Sequence, residues 1–252
     1  MSCVPVRGCR IGEGRPKVIL PIVERTEAAI LEKAAQFSTL QADCVEWRAD
    51  YFEGARAPGA VARCLAKLRV LLKEKLLLVT LRTKEEGGEQ ALSQQEYLDL
   101  LDLILDTDCA DLLDIEFFTA GADLPALVQD AHTAGVKVVC SNHDFHKTPP
   151  KAEMVSRMVA MQQAGADLPK LAVMPQSRAD VLELLAATAE MTDHHPETPV
   201  ITMSMGALGA VSRLCGEAFG SAMTFANPGT ASAPGQVGLD VVNAVLDSLR
   251  LS

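Results

Sequence analysis

The stretch LLDIEFFTAGADLPALVQDAHTAGVKVVCS, residues 112–141, decides the fold. It contains an apolar run at 112–117, an amphipathic segment at 124–134 and a second apolar run at 137–141. A short, mainly apolar run rich in Leu, Ile and Val is typical of a strand covered on both faces, as in a parallel sheet. The stretch therefore predicts one β-α-β unit of such a sheet.

The same alternation repeats along the chain from residue 17 onward. The predicted strands are residues 17–22, 44–48, 76–81, 112–117, 137–141, 170–174, 200–203 and 222–225. The predicted helices cover about residues 25–38, 58–73, 93–107, 124–134, 150–164, 178–191, 209–218 and 238–250. Eight β-α units in 252 residues favour an α/β fold, a (β/α)8 TIM barrel forming a single catalytic domain over residues 1–252. An open doubly wound sheet is the alternative, but no G-x-G-x-x-G follows an early strand.

Residues 1–16 precede this repeat. Val4-Pro5-Val6, followed by Gly8 and later by Gly12 and Gly14, predicts a short N-terminal hairpin before the first barrel strand.

Composition limits the possible partners and compartment. The net charge of -10, without a Lys/Arg block, argues against nucleic acid and anionic membranes as partners. The seven cysteines are odd in number, scattered and free of C-x-x-C, as in reduced cytoplasmic proteins. We expect no signal peptide, because the first apolar run is short and contains Pro21, and no stretch approaches the length of a membrane span.

Chemistry in such barrels lies at the C-terminal ends of the strands, so polar residues there are the candidates. Glu46 and Arg48 are two residues apart and therefore share a face, either as binding residues or as a structural ion pair. Asp114 and Glu116 are spaced in the same way. Paired carboxylates bind a metal or act as acid and base, but Glu116 could instead pair with an interior Lys or Arg.

Lys170 interrupts the otherwise apolar run at 168–174. Lysine is rarely buried unless it is paired or used, and desolvation beside other cations favours the free amine that attacks a carbonyl. The alternative is a lysine at the other end of the strand that extends into solvent.

His143 directly follows the predicted strand at 137–141, so it should lie at the barrel mouth. Imidazole is the usual general acid-base near neutral pH, although a hydrogen-bonded structural histidine is equally compatible with this position. A metal site with Asp144 and His146 lacks a third ligand at fixed spacing.

Two further segments follow the last two barrel strands. Gly206 and Gly209 followed by Arg213 form a plausible anion pocket. The small, uncharged stretch 227–236 has the composition of a lid, or of a plain surface loop.

Taken together, these segments resemble the type I 3-dehydroquinases over essentially the whole chain. The matching segments are Glu46-Trp47-Arg48, Arg82 with Glu86-Gly87-Gly88, Ser141-Asn142-His143-Asp144-Phe145, Pro169-Lys170, Met203-Ser204-Met205-Gly206, Ser212-Arg213 and Ser232-Ala233-Pro234-Gly235-Gln236. Each is weak alone, but all of them in this order at strand ends are highly specific.

The resemblance implies a hydro-lyase that dehydrates 3-dehydroquinate in the shikimate pathway to aromatic compounds. It implies that Lys170 forms an imine with the substrate, that His143 moves the proton in a syn elimination and that Glu86 orients His143. It further implies no metal or organic cofactor and a cytoplasmic homodimer. The implied substrate-binding residues are Glu46, Trp47, Arg48, Arg82, Met203, Met205, Arg213, Phe225, Ser232, Ala233 and Gln236, of which Arg213 would bind the substrate carboxylate.

One departure from the family and three rival functions stay open. Pro21 stands where the family usually has a serine that contacts substrate, which puts substrate affinity in doubt. The rivals are a class I aldolase using Lys170, a catalytically silent barrel that binds a metabolite or a partner, and a metal-assisted lyase using Asp114, Glu116 and His143.

Overall fold

The computed structural model describes residues 2–57, 59–229 and 235–251. Its strands are β1 (Val4–Val6), β2 (Cys9–Ile11), β3 (Lys17–Ile22), β4 (Cys44–Arg48), β5 (Leu76–Thr80), β6 (Leu112–Glu116), β7 (Lys137–Asp144), β8 (Leu168–Val173), β9 (Ile201–Ser204), β10 (Met223–Asn227) and β11 (Val237–Gly238). Its α-helices are α1 (Glu27–Ser38), α2 (Ala60–Leu72), α3 (Gln94–Leu105), α4 (Phe117–Ala120), α5 (Leu124–Thr133), α6 (Lys151–Gln163), α7 (Arg178–His194), α8 (Gly206–Gly209), α9 (Gly216–Phe219) and α10 (Leu239–Ser248). Single turns of 3-10 helix cover Ala49–Tyr51, Lys84–Glu86, Gly121–Asp123 and Ala210–Arg213.

Strands β3 to β9 lie side by side in chain order, all parallel, and β10 pairs with β3. The two ends of this sheet meet at a bridge between Val200 and Ser221, where Ala222 N donates to Val200 O at 2.8 Å. The sheet therefore closes into the predicted (β/α)8 barrel, and the open doubly wound alternative is wrong.

The predicted N-terminal hairpin is confirmed, since β1 and β2 pair antiparallel. Its buried residues Val4 and Ile11 join the apolar cluster inside the barrel. Arg7 at its turn donates from Nε to Asp111 Oδ1 at 2.8 Å. The hairpin thus covers the N-terminal end of the barrel, opposite the end where the strands finish.

The predicted helix at 209–218 is wrong. The chain instead forms α8, the 3-10 turn Ala210–Arg213 and α9. Gly209 packs so closely that an added Cβ would lie 2.3 Å from Ser204 O, and Gly220, with a φ of +98°, ends α9. Close packing and left-handed backbone override the apolar periodicity here. Within the described residues, no helix is both long and apolar enough to cross a bilayer.

Alternation along the strands sorts side chains between two environments. Outward residues such as Trp47 and Val79 pack against the helices. Inward residues are apolar near the strand starts, as at Ile19 and Leu78. Further along the strands the buried side chains become polar, as at Lys170. The fold therefore gathers a polar set inside the barrel at its C-terminal end.

Candidate active site

A cavity of about 210 Å³ opens at the C-terminal ends of the barrel strands. Its walls are formed by Glu46, Arg48, Arg82, Glu86, Gly87, His143, Phe145, Lys170, Ala172, Met203, Met205, Arg213, Phe225 and Gln236. Every predicted site residue is among them except Trp47, Ser232 and Ala233. Ser232 and Ala233 lie outside the described residues, so their predicted place in a lid stays a prediction.

The side chain of Trp47 lies on the outer side of β4 and is not among the residues lining the cavity, so its predicted contact with substrate stays a prediction. Its side chain is fully buried among the residues between strands and helices, with its ring centroid 5.9 Å from that of Phe52. The period of two that turns Glu46 and Arg48 inward necessarily turns Trp47 outward. Its role is to pack β4 against the helical layer.

Lys170 is the third residue of β8 and points into the barrel. It is 3% exposed, which rules out the alternative of a solvent-extended lysine. Its Nζ lies 2.9 Å from Asp114 Oδ2 and 5.0 Å from the centroid of the Phe225 ring. The amine thus has one anionic neighbour and one aromatic neighbour at the cavity wall.

Arg82 neutralises the carboxylates of β6. It donates to Asp114 Oδ1 at 2.8 Å and to Glu116 Oε1 at 3.1 Å, while Ser141 Oγ donates to Asp114 Oδ1 at 2.6 Å. Burial alone would raise the pKa of Asp114, but Arg82 and Lys170 offset burial and the pKa is lowered. The interpretation of Glu116 as the partner of an interior arginine is confirmed. Both carboxylates are committed to cations of the chain itself.

Glu86 reaches the cavity from the loop after β5. Gly87, with a φ of +82°, turns this loop, and Phe145 packs against it so closely that a Cβ would lie 2.5 Å from the ring. Gly88 lies against Arg82 O, where a Cβ would be only 2.0 Å away. The two glycines therefore allow the loop to pack against Phe145, just after β7, and against Arg82, just after β5.

His143 is hydrogen-bonded to Glu86 twice. Glu86 Oε2 lies 2.9 Å from His143 Nδ1 and accepts from His143 N at 3.0 Å. Burial, together with the positive charges of Arg82, Lys170 and Arg48, lowers the pKa of His143 well below its usual value. Burial raises the pKa of Glu86 to about 7, against the opposing effect of Arg82.

These shifts define the state of the pair above neutral pH. His143 is a neutral imidazole whose Nδ1–H donates to the Glu86 carboxylate, so Nε2 keeps its lone pair. His143 also lies one inward position beyond Ser141, the register partner of Lys170. A proton acceptor and a primary amine therefore line the same small cavity.

Asp50 is a site residue that the sequence analysis missed. It is fully buried and accepts from both Arg48 Nε and Nη2 at 2.7 Å. It also accepts from Glu89 N at 3.1 Å, which ties the loop carrying Glu86 to the end of β4. The spacing Arg48-x-Asp50 was the available signal, but Asp50 follows the strand and its buried position could not be read from the pattern.

Arg213 supplies the cation expected after β9. It is 2% exposed, and its Nη1 lies 3.5 Å from Met203 Sδ. Burial lowers its pKa to about 10, so it stays charged at neutral pH. A buried guanidinium at the cavity wall can bind a carboxylate with two parallel hydrogen bonds.

Pro21 occupies the position in register with Glu46 at the end of β3. It is buried and is not among the residues lining this cavity. The chain therefore has no hydroxyl at this point.

Comparison with known proteins gives consistent relationships. The family model described as type I 3-dehydroquinase matches residues 18–252. The chain is 48% identical to 3-dehydroquinate dehydratase of Bacillus licheniformis over 98% of this chain and 97% of that one. It is 47% identical to the Bacillus subtilis protein of the same name, over 99% and 98% of the two chains.

Solved structures similar to this chain point to the same family. The type I 3-dehydroquinate dehydratase of Clostridium difficile, determined with covalently modified comenic acid, superposes with a TM-score of 0.95, 45% identity and 98% coverage of both chains. The Geobacillus kaustophilus 3-dehydroquinate dehydratase has a TM-score of 0.95 and 36% identity, over 98% of this chain and 96% of that one. The chain belongs to the type I 3-dehydroquinase family and is a hydro-lyase.

Proposed function

We propose that this chain dehydrates 3-dehydroquinate to 3-dehydroshikimate, a step of the shikimate pathway, through an imine on Lys170. The observation that carries the proposal is one cavity that combines a buried lysine with a neutral imidazole–carboxylate pair. This combination supplies both an electron sink and a proton shuttle.

The proposed reaction proceeds in balanced steps. The Lys170 amine adds to the substrate ketone and water leaves, which forms a protonated imine. Asp114, 2.9 Å from Nζ, stabilises that positive charge. The Nε2 atom of His143 removes a proton from the carbon next to the imine, and the electron pair enters the C=N system. Expulsion of the hydroxyl group, protonated by His143, and hydrolysis of the imine complete the loss of one water.

Charged side chains bind the polar groups of the substrate, and apolar side chains enclose it. We assign the substrate carboxylate to Arg213 and the ring hydroxyls and ketone region to Glu46, Arg48 and Arg82. Met203, Met205 and Phe225 form the apolar wall. Gln236, at the cavity, and Ser232 and Ala233 belong to the proposed lid.

The experiment that tests this function measures 3-dehydroshikimate formed from 3-dehydroquinate by the purified chain. Turnover that is unchanged by a chelator supports the lysine mechanism over the metal-assisted alternative. Cleavage of sugar phosphates without dehydration of 3-dehydroquinate would instead favour the aldolase, and binding without turnover would favour the silent barrel.

Arg213→Met is expected to lower kcat/KM for 3-dehydroquinate about 10- to 100-fold, mainly through KM. The reason is the loss of a charge-assisted pair worth about 1.5–3 kcal/mol. Arg178→Met, at an exposed arginine that begins α7, is the control and should leave kcat/KM unchanged. An unaltered KM in Arg213→Met would contradict the assignment of the carboxylate.

Pro21→Ser is expected to lower KM by up to about tenfold while kcat stays within about twofold. Pro21 is in register with Glu46, which lines the cavity, so we expect a serine hydroxyl at this position to reach the substrate. A neutral hydrogen bond of this kind contributes about 0.5–1.5 kcal/mol, and the upper end corresponds to a factor of about ten in binding. Steady-state kinetics of the two proteins side by side decides the point, and an unchanged KM removes the idea.

We also propose that the enzyme is a cytoplasmic homodimer serving chorismate and aromatic amino-acid biosynthesis. The family membership supports the pathway, and the reduced, scattered cysteines support the compartment. Light scattering on the eluted protein measures its mass, and a monomer would contradict the assembly.

A further inference from the structure

Asn142 connects the catalytic pair to a residue outside the barrel. It lies on β7 between Ser141 and His143 and is 4% exposed. Its Nδ2 donates to Glu86 Oε1 at 3.2 Å. Its Oδ1 accepts from Arg157 Nη1, on α6, at 2.8 Å. The proposed mechanism assigns no part to Asn142 or Arg157.

The two contacts fix the orientation of the Asn142 amide. A guanidinium has only donors, so the carbonyl oxygen of Asn142 must face Arg157. The amide nitrogen then faces Glu86, where it can donate only to an oxygen that accepts. Without Arg157 the amide can reverse, and its carbonyl oxygen then approaches Glu86 Oε1. That reversed contact is a hydrogen bond only when Glu86 carries a proton.

We propose that Arg157 is a positioning residue that acts through Asn142 to keep Glu86 an ionised acceptor for His143. The inference rests on the proposed function, because it concerns the proton shuttle of that reaction. Arg157 touches neither the cavity wall nor Lys170 among the described contacts.

Several charged groups face Glu86 and determine how readily its carboxyl group ionises. Arg82 Nη1 lies 3.5 Å from Glu86 Oε2 and favours the ionised carboxylate, whereas the negative charges of Asp114 and Glu116 on β6 disfavour it. His143 Nδ1 contacts the same oxygen, Oε2. Burial is the largest influence and raises the pKa of Glu86 to about 7, while the Asn142 hydrogen bond lowers it. Glu86 therefore changes between its protonated and ionised forms near neutral pH. One hydrogen bond more or less then changes the fraction of molecules in which Glu86 is ionised.

Two residues on the helices outside the barrel contact the Arg157 guanidinium. The guanidinium is hydrogen-bonded to Glu153 and lies 5.4 Å from the centroid of the Phe118 ring. The Arg157 side chain is only 17% exposed, whereas two of its contact partners, Glu153 and Phe118, are exposed. Glu153 offers a matched control, because removing its charge leaves the contact between Arg157 and Asn142 in place.

The test is the pH profile of kcat for wild type, Arg157→Met, Arg157→Lys and Glu153→Gln. We expect Arg157→Met to move the acidic limb upward by about one pH unit, since loss of a hydrogen bond to a carboxylate is of this order. Activity below the limb then falls about tenfold, and the alkaline plateau and KM change by less than about twofold. Arg157→Lys, which still donates, should keep the limb close to its wild-type position, and Glu153→Gln should show no shift.

A double-mutant cycle separates positioning from general damage. Asn142→Ala should produce the same upward shift, and adding Arg157→Met to it should shift the limb no further. Should Arg157→Met not fold, Arg157→Leu, which also lacks a donor, takes its place in the cycle. An unmoved limb, additive shifts, or a loss of kcat that is equal at every pH would overturn the inference. A wild-type protein without dehydratase activity would instead overturn the proposed function.

Discussion

Lys170→Met is expected to reduce the dehydration rate about 10⁶-fold, the order of loss found when a covalent nucleophile is removed from a catalytic unit. Methionine matches the lysine side chain as far as Cε but has no amine and cannot form an imine. The fold should survive, because Asp114 keeps its bonds to Arg82 and Ser141 when the lysine amine is lost. Steady-state kinetics combined with thermal unfolding measures both effects.

A lysine at the other end of the barrel serves as the control for this change. Lys137 begins β7 and pairs with Asp167 at 3.0 Å, away from the cavity. Lys137→Met should cost some stability and leave kcat near that of wild type. If Lys170→Met retained activity within about tenfold of wild type, covalent catalysis by this residue would be excluded.

His143→Ala is expected to lower kcat by about 10²- to 10⁴-fold, the usual contribution of a general acid-base. The imine should still form, because Lys170 and its partner Asp114 remain in place. Chemical trapping of the imine, measured beside kcat, therefore separates the two roles. His143→Ala should give a trapped adduct but turn over slowly, whereas Lys170→Met should give no adduct and no measurable turnover.

The matched control is His194→Ala, at an exposed histidine that ends α7, which should behave as wild type. Turnover by His143→Ala at a rate near wild type would remove His143 from the proton transfers. Loss of trapping in His143→Ala would show that His143 serves imine formation instead.

The barrel strands were predictable because hydrophobic burial dominates their sequences. The strands 17–22 and 44–48 match β3 and β4, since apolar runs bounded by polar loops leave little choice of limits. Lys170 identified the site because a polar residue inside an apolar run is costly unless it is used. His143 did so because it directly follows a predicted strand and should therefore lie at the barrel mouth. Inward or outward orientation follows from the same period of two, which, applied to Trp47, predicts the outward position that the structure shows.

The contacts within the site could not be predicted, because they join residues distant in sequence. The pairing of Lys170 with Asp114 spans two strands, and Arg157 reaches Asn142 from a helix. The choice between a metal site and an Arg82 partner for Asp114 and Glu116 required the barrel register. The prediction of one helix in the region 206–219 failed for another reason. Close backbone packing at Gly209 determines the secondary structure there, and the apolar periodicity does not.

The central claim is that Lys170 forms an imine with the substrate, and borohydride reduction in the presence of 3-dehydroquinate tests it most directly. Intact mass and peptide mapping then show whether and where the substrate is attached. We expect a single reduced adduct on the peptide that contains Lys170, absent without substrate and absent from Lys170→Met. A folded, substrate-saturated protein that turns over but yields no adduct, or an adduct on another lysine, would contradict the account.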